Sequence, residues 1–183
     1  MLTPFIEIIF TMGYLGFFLY TIVVGTFIPL PTQLILLPAG FLASQGRLDI
    51  FTIIMVTASG ATLGATINYF LAKEVSKRFI SDEKNRKIEK FFQKYGRVSV
   101  ALAPLTFGLG QYISIPAGMA KMDLRWFLPL IFLSNALWNF AMVMLGYMFG
   151  QDAGSKTIYL VSFGTLIIVL TISLFVYKEF KSY

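Results

Sequence analysis

Cysteine and histidine are both missing from this 183-residue chain, and charged residues make up only 13% of it. Without Cys there is no disulfide, thiol nucleophile or thiolate metal site. Without His the commonest metal ligand and general base is gone. These absences argue against a metalloenzyme or a triad hydrolase, and no cofactor is expected. An average soluble domain carries about 25% charged residues. The low charge here, with 57% hydrophobic residues and a mean hydropathy of +0.75, excludes an ordinary soluble domain. At roughly 20 apolar residues per span, the chain has room for a handful of spans in one membrane domain. The first thirty residues lack a basic n-region and a small-residue cleavage site, so the opening apolar stretch reads as a retained span.

The charge that is present is concentrated. Lys73, Lys77, Arg78, Lys84, Arg86, Lys87, Lys90, Lys94 and Arg97 face Glu74, Asp82, Glu83 and Glu89 in one short stretch of a chain whose net charge is +6. By the positive-inside rule this stretch is cytoplasmic. Ile88, Phe91, Phe92 and Tyr95 recur at i, i+3, i+4 and i+7, which predicts an amphipathic helix lying on an anionic leaflet rather than a nucleic-acid site.

Around that loop, the apolar blocks at about 4–27, 50–72, 127–149 and 157–177 each suit one span. Residues 28–46 and 98–120 do not. Pro29, Pro31 and Pro38 interrupt the first, and Pro104, Gly108, Gly110 and Pro116 the second, so both read as broken, re-entrant helices. This threading places both termini inside and leaves only Arg47 and Lys156 outside. Making 98–120 a full span would push Lys121 and Arg125 outside and invert everything after them.

The two broken blocks are related. Pro38-Ala39-Gly40 recurs as Pro116-Ala117-Gly118, 78 residues later, and the same offset carries Tyr69 to Tyr147. It also maps Thr57, Ala61, Gly64 and Asn68 onto Asn135, Asn139, Met142 and Gly146, one helical side in each case. Only one span separates the two units, which is the pattern of an inverted-topology repeat whose broken helices meet near the midplane. Gly60, Gly64 and Ala65 read as small residues for close helix packing. Gln33, Asn68, Thr106, Gln111, Asn135 and Asn139 are polar in apolar surroundings and need partners, either each other or a ligand. Glu7 is the only acidic side chain in the spans and broken blocks, and it lies close to the amino end.

The expected fold is thus an all-α polytopic membrane protein: about four transmembrane helices plus two re-entrant helices in inverted repeat, forming a single domain over 1–183. Its parts are repeat unit 1 at about 28–72, the basic segment at about 73–97, repeat unit 2 at about 98–150 and a C-terminal helix at about 157–177.

From Val24 to Gly150 the chain resembles the DedA family, also called SNARE-associated or VTT-domain proteins. The resemblance is carried by Ile28-Pro29-Leu30-Pro31, Leu34-Ile35-Leu36, Ala39-Gly40-Phe41, Gly60, Gly64 and Tyr69 in the first unit. Phe92 with Tyr95-Gly96, Pro116-Ala117-Gly118 with Met122, Phe127, Trp138, and Leu145-Gly146-Tyr147 with Gly150 carry it in the second. The resemblance implies two re-entrant helices in inverted repeat. It also implies movement of lipids across the bilayer, including polyprenyl-phosphate carriers and phospholipids, with proton-gradient coupling proposed for the family. The family pattern has Glu-Asn before the first Pro-x-Pro, Glu two residues after it, and two arginines in the second block. This chain has Val24-Gly25, Gln33, Pro104 and Gly110 there. Gln33 cannot carry a proton, and Pro104 and Gly110 cannot pair with phosphate as arginine does.

What remains for a substrate is neutral: backbone amides near Thr32 to Leu34 and Gly108 to Tyr112, with side chains of Gln33, Thr106 and Gln111. The candidate substrate-binding set is therefore Pro29, Pro31, Thr32, Gln33, Asn68, Thr106, Gly108, Gly110, Gln111, Asn135 and Asn139. Two functions compete. One is a non-enzymatic transporter of a lipid or another polar solute in a prokaryotic inner membrane. The other is a non-transporting scaffold that works through partners on residues 73–97. Membrane lipids, with an anionic leaflet under the basic segment, are the expected partners, and self-association is left open. An intramembrane enzyme would need an acid and base that the spans do not supply.

Overall fold

The computed structural model of the chain describes residues 9–26, 28, 30–79, 82–103 and 110–152, and no strand occurs among the described residues. The expected span over about 4–27 is not one continuous helix in its described part. Residues 9–11 are helical, Met12 and Gly13 turn, and Gly13 takes a φ of 59°, left-handed backbone that glycine enters at little cost. Helix α1 then runs Tyr14–Gly25. Its 12 residues reach about 18 Å, against about 30 Å of bilayer hydrocarbon.

Helix α2 is Gln33–Ser44 and α3 is Ile50–Phe79. The expectation that Pro38 breaks the first block is corrected: Pro38 sits inside α2, and the helix break lies earlier, between Gly25 and Gln33. Proline removes one amide donor from the ladder. Here the residues around it are buried, Leu37 and Ala39 included, so side-chain packing holds the helix across the missing rung. Helix α4, Asp82–Leu102, joins the basic segment to the start of the second block without a break. A 3-10 turn at Gly110–Ile113 leads into α5, Ser114–Met119, and α6 follows at Leu124–Asp152. Pro116 falls in the first turn of α5, where an amide has no intrahelical acceptor in any case. Glu7, Pro104 and the block at about 157–177 lie outside the described residues.

Among the described residues, two helices are long and apolar enough to cross a membrane: Ile50–Ser76 within α3 and Leu124–Gly150 within α6, with mean hydropathies of 1.8 and 1.7. Leu133 and Leu137, one turn apart on α6, are each 65% exposed. Bare leucines in such a row suit acyl chains, which are as apolar as they are.

The repeat is visible in the packing. Helix α2 packs chiefly on α6, and α5 on α3, so each Pro-Ala-Gly helix crosses to the other unit's long helix. A methyl group at Gly40 would overlap the Val143 carbonyl and lie 2.8 Å from the Tyr147 amide. A methyl group at Gly118 would overlap the Tyr69 carbonyl. Gly40 and Gly118 are related by the offset of 78, so at both crossings a repeat-related glycine seats on backbone of the facing long helix, although the carbonyls they meet, of Val143 and Tyr69, are one helical turn apart in the repeat register. Helix α1 packs on α3 through Gly25, Gly60 and Gly64, and α4 packs on α6. Two cores result. Phe17, Tyr20, Ile35, Leu36, Ile53 and Val143 fill one. Tyr69, Phe92, Val100, Phe127 and Ile131 fill the other, with the Tyr69 and Phe127 rings 5.0 Å apart. Phe92 thus faces the protein interior, whereas Tyr95 is exposed, so the expected apolar stripe is divided. The side chains of Ile88 and Phe91 lie outside the described set.

Helices α2 and α5 also end alike. Gln45, Gly46 and Arg47 donate backbone N–H bonds to Phe41, Ala43 and Leu42, and Ala120, Lys121 and Met122 donate to Pro116, Gly118 and Ala117. Both are Schellman closures, with the left-handed residue at Gly46 (φ 70°) and Lys121 (φ 51°). Left-handed backbone costs a residue with a Cβ about 1–2 kcal/mol. After each closure an aspartate starts the next long helix: Asp49 Oδ2 accepts from the Thr52 amide at 2.7 Å, and Asp123 Oδ1 from the Arg125 amide at 2.9 Å.

Candidate functional site

The break between α1 and α2 is shaped by the two chain ends that meet there. The Tyr20 hydroxyl, one turn before the end of α1, donates to the Pro31 carbonyl at 3.0 Å and holds the connecting segment against the helix. Thr32 then starts α2 without a capping bond from its side chain. The amides of Leu34, Ile35 and Leu36 turn back on Pro31 and Thr32 at 3.4, 3.2 and 3.0 Å. That corrects the expectation that the Leu34 amide is open to a ligand. The amides of Thr32 and Gln33 have no acceptor among the described residues.

Gln33 is the unusual side chain of this turn. It is 6% exposed, yet its amide group makes no hydrogen bond among the described residues. A buried polar group left without a partner costs about 1–3 kcal/mol, so this position asks for a ligand or water. It can donate and accept at once and stays neutral at any pH.

The other polar residues split into two pairs. The Asn68 Nδ2, 2% exposed, donates to the Gly25 carbonyl at 3.2 Å and lies 3.4 Å from Ser114 Oγ. It therefore ties the end of α1 and the start of α5 to α3. Asn139 meets Thr57 at 3.0 Å where α3 and α6 cross. With its amide turned so that the nitrogen donates to the Asn135 carbonyl at 3.2 Å, the amide oxygen accepts from Thr57 Oγ1 at 3.0 Å and from the Ala58 amide at 3.3 Å. In that orientation both ends of Asn139 are used within the protein. The half-buried side chains of Thr32 and Asn135 make no hydrogen bond among the described residues.

The geometry thus brings Asn68 to Ser114 and Asn139 to Thr57, and it joins neither asparagine to Gln33 by a hydrogen bond. Pro29, Thr106 and Gly108 lie outside the described residues; Gly110 and Gln111 lie in the 3-10 turn, and the Gln111 side chain is not described. Sequence reasoning missed Tyr20 and Ser114. The one signal for Tyr20 was a hydroxyl within the apolar run of α1, and Ser114 stands two residues before Pro116. No group of three His, Cys, Asp or Glu that could hold a metal occurs among the described residues. Thr32 and Gln33 can offer neutral N–H donors at the positive end of α2 to an anionic oxygen, without exchanging a proton with it.

A family model described as the VTT domain matches residues 28–148. The chain is 32% identical over 196 aligned positions to a Lactococcus lactis protein named alkaline phosphatase-like protein, covering 96% of this chain and 92% of the relative. It is 24% identical to the undecaprenyl phosphate transporter A of Staphylococcus aureus, over 93% of this chain and 91% of that protein. With the Bacillus subtilis undecaprenyl phosphate transporter A the identity is 28%, over 77% and 74%. No solved structure matches the chain.

Proposed function

This chain belongs to the VTT-domain, or DedA, family of membrane proteins, and from that premise we propose that it moves a phosphate-bearing lipid across the bilayer through a site made of neutral groups. The substrate class is a phospholipid or a polyprenyl phosphate, the latter in keeping with the names of two relatives. Helices α2 and α5 enter from opposite leaflets as the re-entrant members of an inverted repeat, and α3 and α6 span. Both termini are cytoplasmic and the membrane is a prokaryotic plasma membrane. The protein acts as a transporter rather than an enzyme: the chain has no His or Cys, and its spans and broken blocks hold no paired carboxylates to serve as acid and base.

The observation that carries this reading is Gln33: a buried amide that makes no hydrogen bond among the described residues, on the first turn of a helix whose Thr32 and Gln33 amides likewise have no acceptor among them. A phosphate oxygen arriving there receives up to three neutral donors. Asn68 and Asn139 serve to hold helices together, and their amides leave the candidate binding set. Since Gln33 cannot ionise, movement through it is not coupled to protons there.

The test is lipid movement in vesicles that contain the purified full chain, with and without a pH gradient. The expected result is faster movement than in protein-free vesicles and the same rate under both conditions. A rate no faster than in protein-free vesicles would turn the reading to the scaffold, and a rate that needs the gradient would place a proton carrier elsewhere in the chain.

A further inference from the structure

A second feature lies away from Gln33, where α4 passes the α5–α6 turn. A cavity of about 640 Å³ opens there, lined by Lys94, Arg97 and Lys121 together with Phe92, Met122 and Trp126. Its size is that of a small-molecule site. Arg97 lies over the Trp126 ring, its guanidinium carbon 3.9 Å from the ring centroid. Such stacking fixes the plane of the guanidinium and leaves its edge N–H groups for an oxyanion. Lys121 extends from the turn and meets Glu89 at 3.3 Å. Asp123, the one carboxylate among the described lining residues, is engaged by the Arg125 amide.

The height of the cavity along the span identifies its occupant. Trp126 is the third residue of the apolar stretch Leu124–Gly150, and on α4 the charges of Lys94 and Arg97 give way to Val98, Val100 and Leu102. The mouth therefore stands where apolar and polar surfaces change over, the level at which aromatic residues and lipid head groups sit. The other repeat offers a control written into the fold. Its equivalent turn has Gly46 in the left-handed position and α1, without one charged residue, in the place of α4. The second repeat keeps a lysine in that position in spite of the backbone cost, and the lysine faces the cavity.

We propose that this cavity is a binding site for the phosphate head group of an anionic phospholipid of the surrounding leaflet, held by Arg97, Lys121 and Lys94 above an apolar floor of Phe92 and Met122. This inference rests on placement in a membrane and not on lipid movement or on Gln33.

The experiment is native mass spectrometry of the full chain released from micelles doped with equal phosphatidylglycerol and phosphatidylcholine. The intact protein is expected to retain phosphatidylglycerol preferentially. In the Arg97→Gln/Lys121→Gln variant that preference falls about fivefold for each charge removed. Arg47→Gln/Lys90→Gln removes the same charge outside the cavity and is expected to keep it. An equal loss in both variants means diffuse attraction and overturns the site. If the first variant does not fold, Lys94→Gln alone, at an exposed helix position, carries the same expectation with one charge. Displacement of phosphatidylglycerol by millimolar inorganic phosphate would show a free-phosphate site and overturn the lipid assignment; retention supports it.

Discussion

The turns that close α2 and α5 share a pattern of backbone hydrogen bonds and differ in what stands at the left-handed position. The first repeat places Gly46 there; the second places Lys121. A similar contrast holds for the polar residues at the two short helices. Gln33 at the start of α2 is buried with no hydrogen bond among the described residues, whereas Ser114 at the start of α5 lies beside Asn68. A repeated fold fixes where helices cross, and it leaves each copy free to specialise its ends. In this chain the first copy carries the buried Gln33 amide and the second the basic cavity.

The comparison breaks most readily at the shared crossings. Gly40→Ala and Gly118→Ala each place a methyl group on backbone of the facing helix and are expected to cost about 1–3 kcal/mol each. Unfolding in micelles measures it. Similar losses support equivalent crossings, and a silent Gly118→Ala would show that α5 does not lie on α3 as α2 lies on α6. Next in size are the turn positions. Gly46→Lys is expected to destabilise by about 1 kcal/mol and Lys121→Gly to stabilise by up to that amount, read in the same unfolding series; shifts of the same sign would contradict equivalent closures.

The contact between the two long helices is weaker. A double-mutant cycle of Thr57→Val and Asn139→Leu should return a coupling of about 0.6 kcal/mol, the average for buried polar pairs in membrane proteins. Zero coupling would mean that packing alone joins α3 to α6 there. The smallest effect concerns the exposed Asp49. Its bonds from the Thr52 side chain and then the Thr52 amide lower its pKa below the ordinary 3.8. A lowered folded-state value stabilises the protein above 3.8 and is lost as pH falls through the folded value. Asp49→Asn keeps a capping oxygen and should flatten the loss of stability as pH falls below 3.8. An unchanged acid limb would remove Asp49 from the account.

Much of the fold was legible because it is periodic or repeated. The Pro-Ala-Gly offset pointed to two like units, and the long apolar blocks predicted α3 and α6. What failed was local. Pro38 was read as a break, but a proline costs a helix one donor, and buried neighbours can outweigh that. Gly13 was not read as a break because its left-handed backbone depends on what the helix ends pack against. Partner choice was not legible either: Asn68 and Ser114 are 46 positions apart, and no spacing rule pairs them. Gln33 was singled out by departure from a family pattern, while its burial without a hydrogen bond among the described residues could be learned only from the arrangement around it.

The central claim, that a neutral buried amide receives the lipid head group, is tested most directly by the initial rate of lipid movement in vesicles carrying Gln33→Leu beside the unaltered chain. Leucine keeps the bulk and removes both hydrogen-bonding groups, and unfolding in micelles checks that the variant is folded. The account predicts a fall of about tenfold, as for one lost hydrogen bond to a charged oxygen; a folded Gln33→Leu protein that moves lipid at the original rate contradicts it.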